Sequence, residues 1–344
     1  MKPVTIIGGG LAGLTLGIAL RREGVPVTIW EAGHYPRHRV CGEFISGRGQ
    51  DVLVQLGLKE KLVAAEPREA TSAQFWLGDT PLPKHDLPRN ALCLSRRVLD
   101  ELLAVEFKKQ GGGLREDVRW QGESPQAGLI MANGRRRQAT EKGWRWIGLK
   151  IHAHNFEMAA DLEMHSFPTG YIGICRLSRG VSNVCGLFRL PEERTALAGR
   201  PRDLLIGPPD SALRGRMKNV HLDEESFCSV AGIYLGRQHR ELGSDCRIGD
   251  AFAVIPPVTG NGMSIAFESA QIALAPVAAY SRGELAWEAA RAAIYAGCES
   301  AFSSRLAWAG ALQWVMFSPF RRSLWAANWL NAPAVWKLVF AHTR

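Results

Sequence analysis

The chain has 344 residues, 46% hydrophobic and 22% charged, with a formal net charge of +9 at pH 7. That length exceeds one small core and suits two packed units, and the composition is that of an ordinary globular protein rather than a fibrous or disordered one. The positive balance suits phosphorylated ligands or anionic membrane surfaces; the arginines are scattered and no RNP-type or zinc-finger pattern occurs, so nucleic acid is not expected as a partner.

Val4-Thr5-Ile6-Ile7 is a short apolar, β-branched run that predicts a strand. Gly8-Gly9-Gly10-Leu11-Ala12-Gly13 follows, then an apolar-rich helical stretch to Glu23, then a second strand ending at Glu31 and Ala32. This is the order of a dinucleotide-binding βαβ unit. Gly8 makes the tight turn, Gly10 lets backbone approach a pyrophosphate, and Gly13 lets helix pack on strand. The helix N-terminus at Leu11 and Ala12 offers unpaired N–H groups and a positive dipole end to phosphates. Glu31 stands where a carboxylate accepts hydrogen bonds from ribose hydroxyls.

The loop Tyr35 to Ser46 is dense in reactive side chains, among them Arg39, Cys41, Gly42 and Glu43. A helix is expected from Gly49 to Leu56, stopped by Gly57, then strand and loop over 71–92, interrupted by prolines. Ser95 caps a further helix that ends at the glycine run 111–113. Leu129 to Ala132 forms a strand entering an Asn133-Gly134 turn. From Trp144 the pattern changes to short antiparallel strands, with Tyr171–Arg176 and Asn183–Phe188 forming a hairpin. Residues 192–222 are expected to be helical, interrupted by Gly207-Pro208-Pro209, and 227–234 a strand. Gly249-Asp250 then places an acid at a strand end, and Pro257 to Met263 makes a Pro/Gly turn before another helix.

Seven cysteines, widely spaced and without a Cys-x-x-Cys pair, argue for reduced thiols, a cytoplasmic chain and no metal site. The N-terminus enters a strand by residue 4, leaving no room for a signal peptide. No uninterrupted apolar run reaches the ~20 residues a spanning helix needs.

The glycine motif with Glu31, Arg39-x-Cys41-Gly42-Glu43, Ser95-Arg96 with Asp100, Ala132-Asn133-Gly134, and Gly249-Asp250 followed by Gly260-Asn261-Gly262 run in one order across most of the chain. In that order they resemble the flavoprotein monooxygenase and geranylgeranyl reductase superfamily, with its para-hydroxybenzoate hydroxylase-like fold. The resemblance implies FAD as the cofactor, Asp250 on the ribityl chain, and the Pro257–Gly262 loop against the flavin ring. It also implies Arg96 near the phosphates, Arg39 near the flavin, and Gly42 and Asn133 within the cofactor set. Backbone N–H groups near Met263 would stabilise negative charge on reduced flavin.

The Cys41-Gly42-Glu43 loop and the hairpin from Pro168 resemble the geranylgeranyl reductase branch, which implies reduction of carbon–carbon double bonds and carries Cys41, Glu43 and Tyr171 over as catalytic candidates. Cys41 is either a thiol near the flavin or a small buried hydrophobe. Glu43 is a proton donor if desolvated, otherwise a solvated loop acid. His152 and His154 share one strand side, and a polar sheet face is the expectation for both. Trp144-Arg145-Trp146-Ile147 is similar to the Trp-x-Trp motif of flavin-dependent halogenases but lacks its closing Ile-Pro, so aromatics packed on a sheet are expected instead. The C-terminal tryptophans 287, 308, 314, 325, 329 and 336, interleaved with basic residues, suit a helical layer over the substrate domain or an interfacial helix at a membrane surface.

These readings give an α/β (α+β overall) architecture. Segments 1–70, 93–145 and 240–282 form a Rossmann-like FAD-binding domain, 71–92 and 146–239 an interleaved antiparallel-sheet substrate domain, and 283–344 a C-terminal helical region. The expected activity is FAD-dependent reduction of a double bond in an apolar prenyl, lipid-like or polyketide-like substrate. The alternatives are oxygen- and NAD(P)H-dependent hydroxylation of an aromatic or polyketide compound, and a flavin-retaining, membrane-associated protein without turnover. No second glycine fingerprint is visible, so NAD(P)H binds transiently or a partner reductase supplies the electrons.

Overall fold

The structure, a computed structural model, describes residues 1–122, 125–135, 143–192, 201–238, 245–317 and 340–342. Its first sheet is parallel and five-stranded, in the spatial order Cys246–Arg247, Leu129–Met131, Val4–Ile7, Val27–Trp30, Gly113–Arg115. Val4 pairs with Val27 and Ile6 with Ile29, and all four are buried. These strands read as continuous apolar runs because helices cover them.

The helix Leu11–Arg22 is buried at every position from Leu11 to Leu20. It is enclosed by the sheet, by Arg96–Lys109 and by the long helix Gly262–Arg282. That long helix has the length and apolarity to cross a membrane. Here it packs between Leu11–Arg22 and the helix Trp287–Phe317. Its Glu268 is clamped at both oxygens by Arg305 of that last helix, at 2.8 and 2.5 Å. A buried acid with a bidentate arginine partner belongs to a packed core. The expected helices appear at Gly49–Gln55 and Arg96–Lys109, with the Ser95 side chain accepting from the Arg97 amide at 3.2 Å.

The second sheet runs His221–Ala231, Trp144–His154, Val181–Pro191, Gly170–Arg176, Leu162–Phe167, Arg68–Leu77, His85–Cys93, Phe44–Ile45. Its pairs are antiparallel except Leu162–Phe167 with Arg68–Leu77. The expected hairpin is present, with Tyr171 opposite Leu187 and Gly173 opposite Cys185. Three expectations are corrected. Residues 71–92 form two long strands rather than strand and loop: Pro88 lies within His85–Cys93, in the irregularity between the Ser72–Asp86 and Ala70–Ala91 pairs, where a bulge tolerates proline. The described part of 192–222 is only partly helical, with the 3-10 helix Pro201–Ile206 and the short helix Ala212–Arg216 separated at the expected Gly207-Pro208-Pro209 break, before the next strand begins at His221. Phe44–Ile45 and Arg68–Ala70, placed by sequence in the cofactor unit, pair into this second sheet.

The sheet has two covered faces. Leu149, Ile151, Ile172, Ile174, Val184 and Phe188 pack with Leu205 and Leu213 on the outer side. Lys150, His152, Asn183 and Cys185 occupy the opposite face, because side chains alternate along a strand. Phe44–Ile45 joins the two sheets and carries the Cys41–Glu43 loop onto that inner face.

Candidate functional site

The glycine turn is built as its sequence requires. Gly8 is in the left-handed region (φ 109°), and a Cβ there would strike the carbonyl of Ala132 beside Asn133. Gly13 touches Gly8, as helix packing on strand demands. A Cβ on Gly10 meets nothing within 4 Å, and the same holds at Gly262. Both glycines border open space at the N-termini of the helices Leu11–Arg22 and Gly262–Arg282. Gly249 (φ 60°) brings the second loop onto the first helix, where its Cβ would meet that of Ala12 at 2.8 Å. Two loops far apart in sequence therefore converge on one groove.

The groove's polar groups fit a dinucleotide cofactor. Asp250 meets no hydrogen-bond donor among the described residues, and burial pushes its carboxyl up despite Arg135, Arg96 and Arg39 nearby. Such an acid is suited to hydroxyl donors of a ribityl chain. Asn261 is buried with its Nδ2 unpartnered, and Arg37 and Arg39 each keep a buried Nε without an acceptor. Donors left over in this way suit phosphate and flavin oxygens.

Two expected roles are refined. Glu31 already accepts from the Gly9 and Gly33 amides at 2.8 and 3.0 Å and pairs with Arg37 at 2.8 Å, with Arg39 at 3.8 Å. Burial alone would raise this carboxyl; the Arg37 charge and hydrogen bond reverse that and hold it low. A ribose reaching Glu31 must displace Arg37, a residue the sequence reading missed. Arg96, expected at the phosphates, spends its guanidinium on buried Asp100 at 2.7 and 2.8 Å. The adjacent Ala32 is exposed, as is Asn133.

The Cys41-Gly42-Glu43 loop sits at the seam of the two sheets. Glu43 is fully buried, which excludes the solvated-acid reading. Its Oε1 accepts from the Arg96 amide at 2.9 Å and lies 3.6 Å from Lys150 Nζ, while Oε2 meets His152 Nε2 at 2.7 Å. Lys150 Nζ also reaches His38 Nδ1 at 2.9 Å. Burial would raise the Glu43 carboxyl, but the His152 hydrogen bond and the Lys150 charge pull it below the ordinary range. Glu43 is thus a buried counter-ion, and the proton-donor role does not suit it.

His38 is pushed down to about 4, first by desolvation and then by Lys150. It is neutral at pH 7 and can accept from the lysine. His38, Glu43 and His152 place three ligand-type atoms within 4.8 Å of one another. Lys150 Nζ lies against two of these three residues, His38 and Glu43. His152, expected on a polar sheet face, instead belongs to this buried array, whereas half-buried His154 stands beside the His221 ring.

Cys41 Sγ accepts weakly from the Glu43 amide at 3.5 Å, and Asn183 donates to the Cys41 carbonyl at 2.9 Å. Burial pushes the Cys41 thiol up against the opposing Arg96 charge, so it stays protonated at neutral pH. Ser46 donates to the Gly260 carbonyl at 3.2 Å, fastening this loop to the Pro257–Met263 turn. Gly260 is left-handed (φ 66°) and lies against the Phe44 ring.

Beyond the turn lies an apolar wall of Tyr171, Leu187, Ile233, Val254 and Met316. Trp146 meets Phe317 edge-on at 4.9 Å, and Arg189 lies over Trp144 at 4.9 Å. These tryptophans pack on the sheet, as expected.

Residues 1–142 match the family described as FAD binding domain. A curated relative, conditioned medium factor receptor 1 of Dictyostelium discoideum, is 29% identical over 127 residues, covering 33% of this chain and 25% of that protein. The chain therefore spans about a quarter of that relative's length. Among solved structures, a triple mutant of the flavin-dependent brominase Bmp2 superposes with a TM-score of 0.79 at 18% identity, covering 100% of this chain and 94% of that one. PqsL of P. aeruginosa, in complex with 2-aminobenzoylacetate, gives 0.70 at 16% identity, covering 92% and 97%. Residues 1–142 thus match an FAD-binding domain, and the chain as a whole shares its fold with Bmp2 and PqsL.

Proposed function

We propose that the protein acts on an apolar prenyl, lipid-like or polyketide-like substrate and reduces a carbon–carbon double bond in it. The observation that supports this most is the placement of Cys41, fixed by the Glu43 amide on its Sγ and by Asn183 on its carbonyl, between the glycine turn and the inner face of the second sheet. Bound FAD would supply hydride to the double bond, with NAD(P)H or a partner reductase as the source of electrons. The chain's own part is to position the substrate against the Tyr171 wall and provide the matching proton. Cys41 gives its proton to the second carbon, and the thiolate left behind is stabilised by Arg96 and the Glu43 amide. Glu43 holds the loop in place and stays ionised.

Anaerobic turnover of reduced enzyme with candidate alkenes tests the reading. Product should form without oxygen, and Cys41→Ala should lower kcat by roughly 10²–10⁴-fold while FAD content holds. Strict oxygen dependence would overturn it in favour of hydroxylation of an aromatic or polyketide-like compound. That second reading draws on the fold shared with PqsL, a protein seen with an aromatic ketoacid bound. A cytoplasmic setting with peripheral membrane contact is proposed on the basic, Trp-rich C-terminus. Trp314 there is exposed, Trp287 is buried, Trp308 stacks near His342, and Trp325, Trp329 and Trp336 lie outside the described residues.

A further inference from the structure

Among the described residues, two buried polar side chains near the apolar wall keep hydrogen-bonding capacity unused, the Tyr171 hydroxyl as a donor and the Gln313 amide at both ends. Tyr171 is 4% exposed and its hydroxyl donates to nothing, although the Val258 backbone faces it. Gln313 is 7% exposed, and neither its amide oxygen nor its nitrogen is bonded. They come from opposite sides, Tyr171 from the sheet and Gln313 from the helix Trp287–Phe317. That helix packs against the Pro257–Thr259 turn, and its Met316 and Phe317, three and four residues beyond Gln313, join Tyr171 and Val258 in one apolar cluster. Phe317, one helical turn beyond Gln313, places its ring 6.2 Å from that of Tyr171.

An unmade hydrogen bond on a buried polar group costs about 1–3 kcal/mol, so an orphaned hydroxyl and an orphaned amide at one wall point to an absent ligand. Resting on the reading that the substrate lies against this wall, we propose that the wall recognises a neutral hydroxyl or carbonyl group on an otherwise apolar, ring-sized ligand through Tyr171 and Gln313. A ligand hydroxyl accepts from Tyr171 or the Gln313 NH₂ and donates to the Gln313 oxygen; a ligand carbonyl accepts from both. A carboxylate is a poor match, because the amide oxygen repels it and cations are engaged elsewhere. Arg305, two turns back on the helix, is taken up by Glu268, and Arg189 stacks over Trp144 toward the exposed strand end.

The test titrates oxidised holoenzyme with 2-naphthol, naphthalene and 2-naphthoate, reading the flavin visible spectrum. Naphthol should bind roughly tenfold tighter than naphthalene, with naphthoate no tighter than naphthalene. The preference should fall to near parity in Gln313→Leu and shrink in Tyr171→Phe, with FAD content unchanged. Gln313→Leu should keep or raise Tm, because it removes unmade hydrogen bonds. Equal binding of naphthol and naphthalene, preference intact in both variants, tighter naphthoate binding, no binding by any probe, or a large Tm loss in Gln313→Leu would each overturn the proposal. No turnover is involved, so the outcome is separate from that of the anaerobic alkene assay.

Discussion

Glu43 holds a left-handed backbone conformation (φ 59°) that a non-glycine residue keeps only where its surroundings impose it. Those surroundings are the ammonium of Lys150, the imidazole of His152 and the amide of Arg96. Removing one partner leaves the other buried and uncompensated, so Glu43→Gln and Lys150→Met should each destabilise the fold by about 3–5 kcal/mol. The double variant should recover a substantial part of that loss, a coupling that urea unfolding of all four proteins measures directly. Additive losses would show that the two groups do not act as a pair. Gly10 offers the complementary case. Its backbone is extended (φ −82°) and its Cβ would meet open space. Gly10→Val should therefore fold with an unchanged Tm yet lose most bound FAD, because the branched side chain fills the cofactor's place. A variant that retained FAD would put the phosphates elsewhere.

At the scale of elements, the short helix Ala212–Arg216 is fixed to the outer face of the sheet by Arg216, which grips Glu163 at 2.9 and 3.1 Å. His165 Nε2 approaches the same carboxylate at 3.0 Å. Desolvation works against ionisation of Glu163, but His165 and Arg216 outweigh it and lower the carboxyl from 4.5 to about 2. The unfolded chain therefore binds the proton more readily than the folded one. Stability from this group is complete above pH 4.5 and is lost as pH falls toward 2. Glu163→Gln should lower Tm at neutral pH and flatten its acid dependence across that window; an unchanged acid limb would remove Glu163 from the account.

Elements with strong local signals were legible in the sequence. The glycine turn, the Ser95-capped helix and the Tyr171 hairpin rest on turn chemistry and periodicity within a dozen residues. The run around Pro88 misled because the proline sits in a bulge of its strand, between Asp86 and Ala91, where no ladder partner is needed. His152 misled for a different reason: alternation assigns it a face, but only the Phe44–Ile45 crossover reveals that this face meets Glu43. Lys150 and Arg37 gave no local signal, since each is defined by a partner more than five residues away in the chain.

Over the whole molecule, one groove is shared by the start of the first helix and by the Gly249–Met263 segment, and the Cys41–Glu43 loop joins that groove to the second sheet. Gly249 against Ala12 and Ser46 against Gly260 are the contacts that make these distant segments a single site. The buried charge array of Glu43, Lys150 and His38 keeps the joining loop in position. The most direct measurement is calorimetric titration of the apoprotein with FAD, in wild type and in Asp250→Ala. Saturation at one FAD per chain, with affinity reduced at least tenfold in the variant, is the predicted result. A wild-type protein that neither retains FAD on purification nor takes it up in the titration would contradict the account.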